Sequence, residues 1–275
     1  MLSALEQSVA AARTRRLDLL RAPGGWLSLI GLEWLETGVN RIGSAQHDND
    51  IVLRAGPAHL GSITLAHDGE ATFVPMEGVA VTVDGREVER VVLVDDASGT
   101  PSEVRFGDAH FFVIARDGRK ALRVKDEQAR TRLFFRGLEY FPIDASWRVE
   151  ADWVPFDPPM ELEMGTVLGT IDKEKVPGKA VFVRDGRTFE LFPIQETPDS
   201  LFFVFGDLTS GKETYGAARF LDTGLPKDGK LVLDFNEARN PPCAFTPYAT
   251  CPLAPPENRL DVRVEAGELK YRGHD

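Results

Sequence analysis

Histidine is scarce in this chain, and its placement is poor for catalysis. The five histidines are His47, His59, His67, His110 and His274, so nothing between Phe111 and Gly273 supplies an imidazole. A Ser-His-Asp or Cys-His pair built wholly within the second half of the sequence is therefore excluded. Cysteine is as sparse. Cys243 and Cys251 are the only two, too few without local histidine to make a structural zinc site. No run approaches the roughly 18 apolar residues that would span a bilayer. No Lys/Arg-rich stripe offsets the net charge of −11, which argues against nucleic acid and anionic membrane as partners. The basic cluster Arg13, Arg15, Arg16 and Arg21 falls in the last half of a predicted first helix, where cations favour the helix dipole. Thr14 to Leu20 is faintly similar to a twin-arginine export signal. Arg21, Pro23 and two glycines interrupt it, so a cytoplasmic chain with two reduced thiols is expected.

What is present is β signal. At 275 residues and 43% hydrophobic, the chain can bury a sizeable core in one or two domains. Ser3-Ala4-Leu5-Glu6 fits a capping box, and Leu5, Val9, Ala12 and Arg16 trace one face of a helix that Pro23-Gly24-Gly25 stops. Five Asp-Gly pairs follow, at 68–69, 84–85, 117–118, 185–186 and 228–229. Asp-Gly readily supplies the positive φ of tight hairpin turns. Trp147 to Trp153 alternates apolar and charged residues, as a half-buried strand does. The expected class is all-β, mainly antiparallel, with two sandwich-like or barrel-like units and an N-terminal helix.

The most informative stretch runs from Asp234-Phe235-Asn236 through Asn240-Pro241-Pro242-Cys243 and Thr250-Cys251-Pro252 to Asn258. It follows the apolar strand Leu231-Val232-Leu233. Proline fixes φ and removes a donor, so such a loop is stiff and holds its polar side chains in set directions. A long, rigid, polar loop on a β scaffold is where a site is expected. Upstream, Gly206 to Lys212 has the glycine spacing of a phosphate loop, but Glu213 stands where the Mg²⁺-binding hydroxyl belongs, so it reads as a turn entering a strand. From Tyr215 that strand would place Tyr215, Ala217 and Arg219 on one face. Asp234 and Asn236 would share a face at i, i+2.

If the two strands pair, Tyr215, Arg219, Asp234 and Asn236 converge beneath the loop, with Asn240, Cys243, Cys251 and Asn258 as further contacts. The occupant would be a small polar or anionic molecule. In a catalytic version Asp234 is the general base and Arg219 stabilises developing negative charge, in a hydrolytic reaction. The competing reading is a buried Arg219–Asp234 ion pair that pins the loop. Cys243 and Cys251 read as small buried hydrophobes, as a disulfide in an exported protein, or as a reactive Cys243 activated by Arg219 or Arg239. Carboxylates at Asp207, Glu213 and Asp234 match no known Ca²⁺ or Mg²⁺ loop. No cofactor or metal is expected.

Two resemblances bear on this. Gly38-Val39-Asn40-Arg41-Ile42-Gly43, Asn49 to Leu53, Val81 to Gly85 and Phe106-Gly107-Asp108 make residues 38–126 similar to a forkhead-associated domain. That resemblance implies an all-β sandwich of a kind that usually binds phosphothreonine peptides. Its functional residues do not carry over. Ser44 stands where the family has arginine, and Pro57-Ala58-His59-Leu60 replaces its Ser-Arg-x-His. Without those charge-assisted donors, phosphopeptide recognition is not expected.

From Trp26 nearly to its end, the chain resembles the bacterial family of unknown function numbered 1684. The match runs through Gly25 to Leu35, Phe135 to Pro142, Thr209 to Leu221, Asp234-Phe235-Asn236, the cysteine loop and Ala266-Gly267-Glu268. It departs at Arg239, where members usually carry an aromatic. The resemblance implies no activity, cofactor or substrate. The expected layout is an N-terminal helix within residues 1–25, a forkhead-associated-like sandwich at 26–128 and a C-terminal β domain at 129–275. The alternative to ligand binding is a non-enzymatic interaction module that holds an unknown protein partner through the sandwich or the apolar Trp26–Leu35 segment.

Overall fold

The computed structural model describes residues 3–273, the side chain of Glu196 excepted; His274 lies outside the described residues. The chain is all-β apart from one long helix, with antiparallel pairing in nearly every ladder. It forms two compact units. One is Leu20–Phe135; the other comprises the chain up to Leu19 and from Arg136 onward.

Within Leu20–Phe135, two five-stranded sheets form among the described residues. One runs in the order Leu29–Trp34, Arg119–Asp126, Ala109–Arg116, Val104–Phe106, Thr82–Val83, and the other Ile51–Val52, Gly38–Gly43, Gly61–Leu65, Ala71–Pro75, Val91–Leu93. Alternating residues from both enter one core that holds Ile42, Ile63, Phe73, Val104, Phe111 and Leu122, the two-faced pattern of a sandwich. Trp26 to Trp34 supplies a short 3-10 turn and an edge strand paired to Arg119–Asp126. Its tryptophans are half-buried beneath cations, Arg119 lying 4.3 Å from the Trp34 ring centre and Arg123 5.2 Å from that of Trp26.

Four of the five aspartate-glycine turns behave as the sequence predicts. Asp84, Asp117, Asp185 and Asp228 have φ near +50°, each followed by a glycine at +70° to +78°. Both central residues at positive φ define the type I′ hairpin, whose twist matches that of its strands. The fifth pair differs. Only Gly69 is at positive φ, and Ala66 N–H bonds the Glu70 carbonyl across a longer turn.

In the other unit, the helix Ala4–Arg21 begins with the expected capping box. Ser3 N–H donates to Glu6 Oε2 at 2.6 Å, and Glu6 N–H donates to Ser3 Oγ at 3.2 Å. A four-stranded sheet runs Arg187–Leu191, Ile171–Arg184, Arg148–Gly165, Lys230–Asp234, and a three-stranded sheet Ile194–Thr197, Ser200–Phe205, Arg219–Gly224. Both feed a core of Trp147, Phe182, Phe203, Phe205, Leu233 and Phe235. Phe235 is at its centre, edge-on to Trp147 and Phe205 at 5.7 and 5.5 Å.

The helix joins this unit through charge. Glu268, 3% exposed, accepts from Arg16 Nε at 3.0 Å and from Asn240 N–H at 2.7 Å. Arg16 also donates to the Asn240 carbonyl at 2.9 Å. Arg13 lies 4.0 Å over the Tyr140 ring, whose hydroxyl burial pushes up to about 12.

Candidate functional site

The convergence expected of Tyr215, Arg219, Asp234 and Asn236 does not form. Two local features prevent it. The strand begins only at Arg219, because Gly216 and Ala217 bend the chain after Thr214 bridges back to Ser210. Tyr215 and Arg219 therefore share no strand face. The strands also belong to different sheets. Arg219–Gly224 pairs with Ser200–Phe205, whereas Lys230–Asp234 pairs with Arg148–Gly165.

Arg219 is 1% exposed, and its partners differ from those expected. Its Nη1 donates to Asp207 Oδ2 at 2.8 Å and to the Val264 carbonyl at 2.9 Å, and its Nη2 donates to the Ala266 carbonyl. Its guanidinium lies 5.3 Å from the Phe205 ring centre. Burial lowers its pKa while Asp207 opposes the shift. Asp207 Oδ1 in turn accepts from Thr209 N–H at 2.6 Å and from Val264 N–H at 3.3 Å. This is an interior ion pair that ties the 207–214 turn to the 264–266 segment, and of the guanidinium nitrogens the buried Nε alone has no hydrogen-bond partner.

Asp234 ends its strand as a cap. Its Oδ1 accepts from Asn236 N–H at 3.1 Å and from Asn236 Nδ2 at 2.9 Å, while Oδ2 takes Arg148 at 3.1 Å. The proposed general base is thus committed to holding a 3-10 turn, Phe235–Glu237.

The asparagines are structural clasps. Asn236 bonds both the amide and the carbonyl of Asp144, at 3.0 and 2.9 Å. Asn240 donates to the Leu269 carbonyl at 2.7 Å. Asn258 holds Phe192 N–H, the Phe192 carbonyl and the Val204 carbonyl at 2.8 to 2.9 Å. Each is 2% exposed or less. A buried amide spends its polar capacity on backbone groups that would otherwise be unsatisfied. The carboxylates weighed as cation ligands also go to separate arginines, Asp207 to Arg219, Glu213 to Arg263 at 2.8 Å and Asp234 to Arg148.

Two expected residues do meet at an open feature. Tyr215 and Cys243 line a groove of about 860 Å³ together with Lys212, Ala244, Thr246, Pro247, Lys270, Tyr271 and Arg272. Three segments build it. The first is the 209–215 turn, in which the Thr209 carbonyl accepts from the amides of Lys212, Glu213 and Thr214 and so lifts Lys212 to the crown. The second is the cysteine loop, anchored where Leu253 N–H meets the Gly165 carbonyl at 2.7 Å and Val167 N–H meets the Cys251 carbonyl at 3.0 Å. The third is the chain beyond Glu268, held to the first by Lys270 N–H on the Glu213 carbonyl at 2.9 Å. Tyr271 packs on buried Phe245 with ring centres 5.0 Å apart.

Among the described residues the charge lining the groove is of one sign: Lys212, Lys270 and Arg272 line it, and no described carboxylate does. Among the described residues none of the three forms an ion pair. The neighbouring carboxylate, Glu213, is occupied by Arg263.

On the loop side, Tyr215 donates its hydroxyl to the Cys243 carbonyl at 3.1 Å, and Cys243 N–H donates to Cys251 Sγ at 3.2 Å. Both cysteines are thiols, Cys243 half-buried and Cys251 buried. The Cys251 side chain lowers the Cys243 pKa most; burial opposes it, and the Tyr215 hydroxyl adds to the lowering. Burial, with Cys243 beside it, raises the Tyr215 pKa. The cations expected to activate Cys243 are engaged elsewhere, Arg219 by Asp207 and Arg239 by Asp222.

Sequence reasoning missed Lys212 as a ligand residue, and missed Thr246, Lys270, Tyr271 and Arg272 altogether. The dense Lys270-Tyr271-Arg272 run was the available signal.

Comparison with known proteins adds lineage but no activity. Residues 133–269 match a family model described as "Protein of unknown function (DUF1684)", and the forkhead-associated resemblance of the first unit lies outside that match. Among solved structures, the chain is similar to the uncharacterized protein from gene locus rrnAC0354 of Haloarcula marismortui, determined by solution NMR. That protein is 30% identical, with 52% of this chain and 81% of that one covered, at a TM-score of 0.43. A crystal structure of Rad53 residues 1–466 with AMP-PNP aligns at 13% identity over 78% of this chain and 51% of that one, at a TM-score of 0.19. Likenesses this loose carry no functional argument. No curated protein matches. Among the described residues no helix is long and apolar enough to cross a membrane.

Proposed function

We propose that the unit containing residues 136–273 binds a small anionic molecule in the Lys212–Lys270–Arg272 groove. One observation carries the reading: in a chain of net charge −11, three cations and no carboxylate are found among the described residues that line one concavity. Surface cations ordinarily find counter-charges on the same molecule, and this surface is rich in them. Clustered like charges raise the local concentration of an oppositely charged ligand and focus the field inside a concave wall. The size suits a small metabolite, since ligand clefts span about 300–1,000 Å³. Tyr215 and Tyr271 give the groove apolar flanks with polar tips. Asp234 and Arg219 take no part in this function, and no hydrolytic step is assigned to them.

Solvent-exposed ion contacts contribute roughly 0.2–1 kcal/mol each. Three of them alone give binding in the millimolar range or weaker, about 4 kcal/mol or less. Tighter binding would draw on half-buried Lys270 and the tyrosines. Titration calorimetry with inorganic phosphate and with citrate at low ionic strength tests the reading. Saturable heat that weakens as salt rises, and that falls about tenfold in affinity in the Lys212→Gln/Lys270→Gln/Arg272→Gln protein, is the expected result. Equal binding by that protein, or no binding of either anion by the parent, would sink the proposal.

A further inference from the structure

We infer that Cys243 and Cys251 form a peroxide-reactive dithiol, with Cys243 the attacking thiol and Cys251 the thiol that resolves it into a disulfide. The anion-binding reading is not needed for this. The two cysteines are eight residues apart, separated by a loop with a proline at 247. The fold nevertheless brings the Cys251 sulfur to 3.2 Å from the Cys243 amide. Burial separates their roles. Cys243 lines the open groove, whereas Cys251 is 5% exposed. A dithiol with one sulfur open to solvent and one behind it has the layout of an attacking and a resolving pair.

The surroundings suit the attacking role. A thiolate, not a thiol, is the nucleophile, and it is favoured by donors and by positive charge. The Tyr215 hydroxyl donates to the Cys243 carbonyl and the Cys251 sulfur accepts from the Cys243 amide, so both groups are held beside this residue, and both lower the Cys243 pKa against the effect of burial. Among its described residues the groove wall contributes lysines and an arginine and no acid that would repel an anion. Rival chemistries lack their parts. Among the described residues no imidazole or carboxylate lines the groove to serve as a base for acyl transfer. Among the described residues no group of three His, Cys, Asp or Glu side chains is placed to hold a metal ion.

The chemistry balances with a hydroperoxide as oxidant. The Cys243 thiolate attacks one peroxide oxygen, forming an S–O bond as the O–O bond breaks, and the departing hydroxide takes up a proton. Cys251, giving up its proton, then attacks the Cys243 sulfur. The S–S bond forms, the S–O bond breaks, and the second oxygen leaves as water. Two electrons pass from two thiols to the peroxide, and an external thiol returns the pair to the reduced state.

The test uses the full chain, reduced and then exposed to hydrogen peroxide at equimolar concentration. Trypsin releases residues 240–259 as one peptide, because no Lys or Arg lies between the cysteines. That peptide should lose about 2 Da, regain it with dithiothreitol, and show no stable oxygen adduct. In Cys251→Ser the oxidation should stop at Cys243 as a dimedone-reactive sulfenic acid. In Cys243→Ser, the remaining thiol should react at least about tenfold more slowly. Tyr215→Phe should raise the pH midpoint of the oxidation rate with circular dichroism unchanged.

Oxidation of Cys243→Ser as fast as the parent, or oxygen adducts without the mass loss, would overturn the inference. If Cys251→Ser does not fold, the peptide mass of the unaltered chain still decides the question.

Discussion

Two cationic regions of the same unit, built from overlapping stretches of chain, have opposite fates. Arg219 is enclosed, with Asp207 and two backbone carbonyls consuming its Nη donors. Lys212, seven residues earlier, sits exposed on a groove with Lys270 and Arg272 and makes no salt bridge among the described residues, the nearby Glu213 being paired with Arg263. The first arrangement specifies geometry, since burying a guanidinium is tolerated only when its charge and donors are matched. The second stores unspent attraction. Charge complementarity within the fold therefore separates structure from recognition here better than residue type does, because both regions offer guanidinium or ammonium groups near aromatic rings.

That contrast can be broken by substitution. Arg219→Ala should have the largest effect. It leaves Asp207 buried without its cation, so denaturant unfolding should show a loss of about 3–5 kcal/mol, partly recovered by Arg219→Met with Asp207→Leu. A loss below about 1 kcal/mol would erase the distinction. Glu268→Gln should cost less, about 2 kcal/mol. The amide keeps one acceptor for the Asn240 N–H, and Arg16, at 17% side-chain exposure, can recover water.

Asp95→Asn probes an intermediate case, in the other unit. Asp95 meets Lys120 at 2.7 Å, and that hydrogen bond, aided by Ser98, holds its pKa down to about 2 against burial. A carboxyl whose folded pKa is depressed stabilises the protein above its unfolded pKa and loses that contribution as pH falls toward the folded value. The parent should therefore exceed Asp95→Asn by about 1 kcal/mol near neutrality, given solvent screening at Lys120. The gap should close between about pH 4 and pH 2. Smallest of all, replacing Lys212, Lys270 and Arg272 by glutamine should change unfolding stability by no more than about 0.5 kcal/mol, since no internal partner is lost. A larger destabilisation would mean those cations belong to the fold after all.

Local features were legible in the sequence. The Asp-Gly turns, the capping box, the stop at Pro23 and the alternation around Val149 to Trp153 are set by a few adjacent residues, and each appears where the pattern puts it. The all-β class follows from them. The site was less legible, for two reasons. A bend at Gly216-Ala217 breaks a face that strand periodicity would have continued, and that bend depends on the Ser210–Thr214 bridge rather than on the residues at the break. Pairing choices are also non-local. The possibility that Arg219 was a buried ion pair was visible, but its partner was assigned as Asp234, because nothing in the spacing distinguishes that carboxylate from Asp207. The groove draws on residues 212–215, 243–247 and 270–272. Only Tyr215 and Cys243 among its lining residues had been singled out, Tyr215 from an expected strand face shared with Arg219 and Cys243 from the proline-rich loop.

The bond between Arg16 and Glu268 joins positions 252 residues apart. A ribosome adding about 5–20 residues per second exposes the helix on the order of tens of seconds before its carboxylate partner exists. Meanwhile Leu20–Phe135 emerges complete and can fold at once. The order of assembly is thus written into connectivity. The intervening sandwich can mature first, while the helix awaits the segment that carries Glu268. Closure of this kind places a vulnerable interval for chaperones and proteases between the emergence of the helix and that of Glu268.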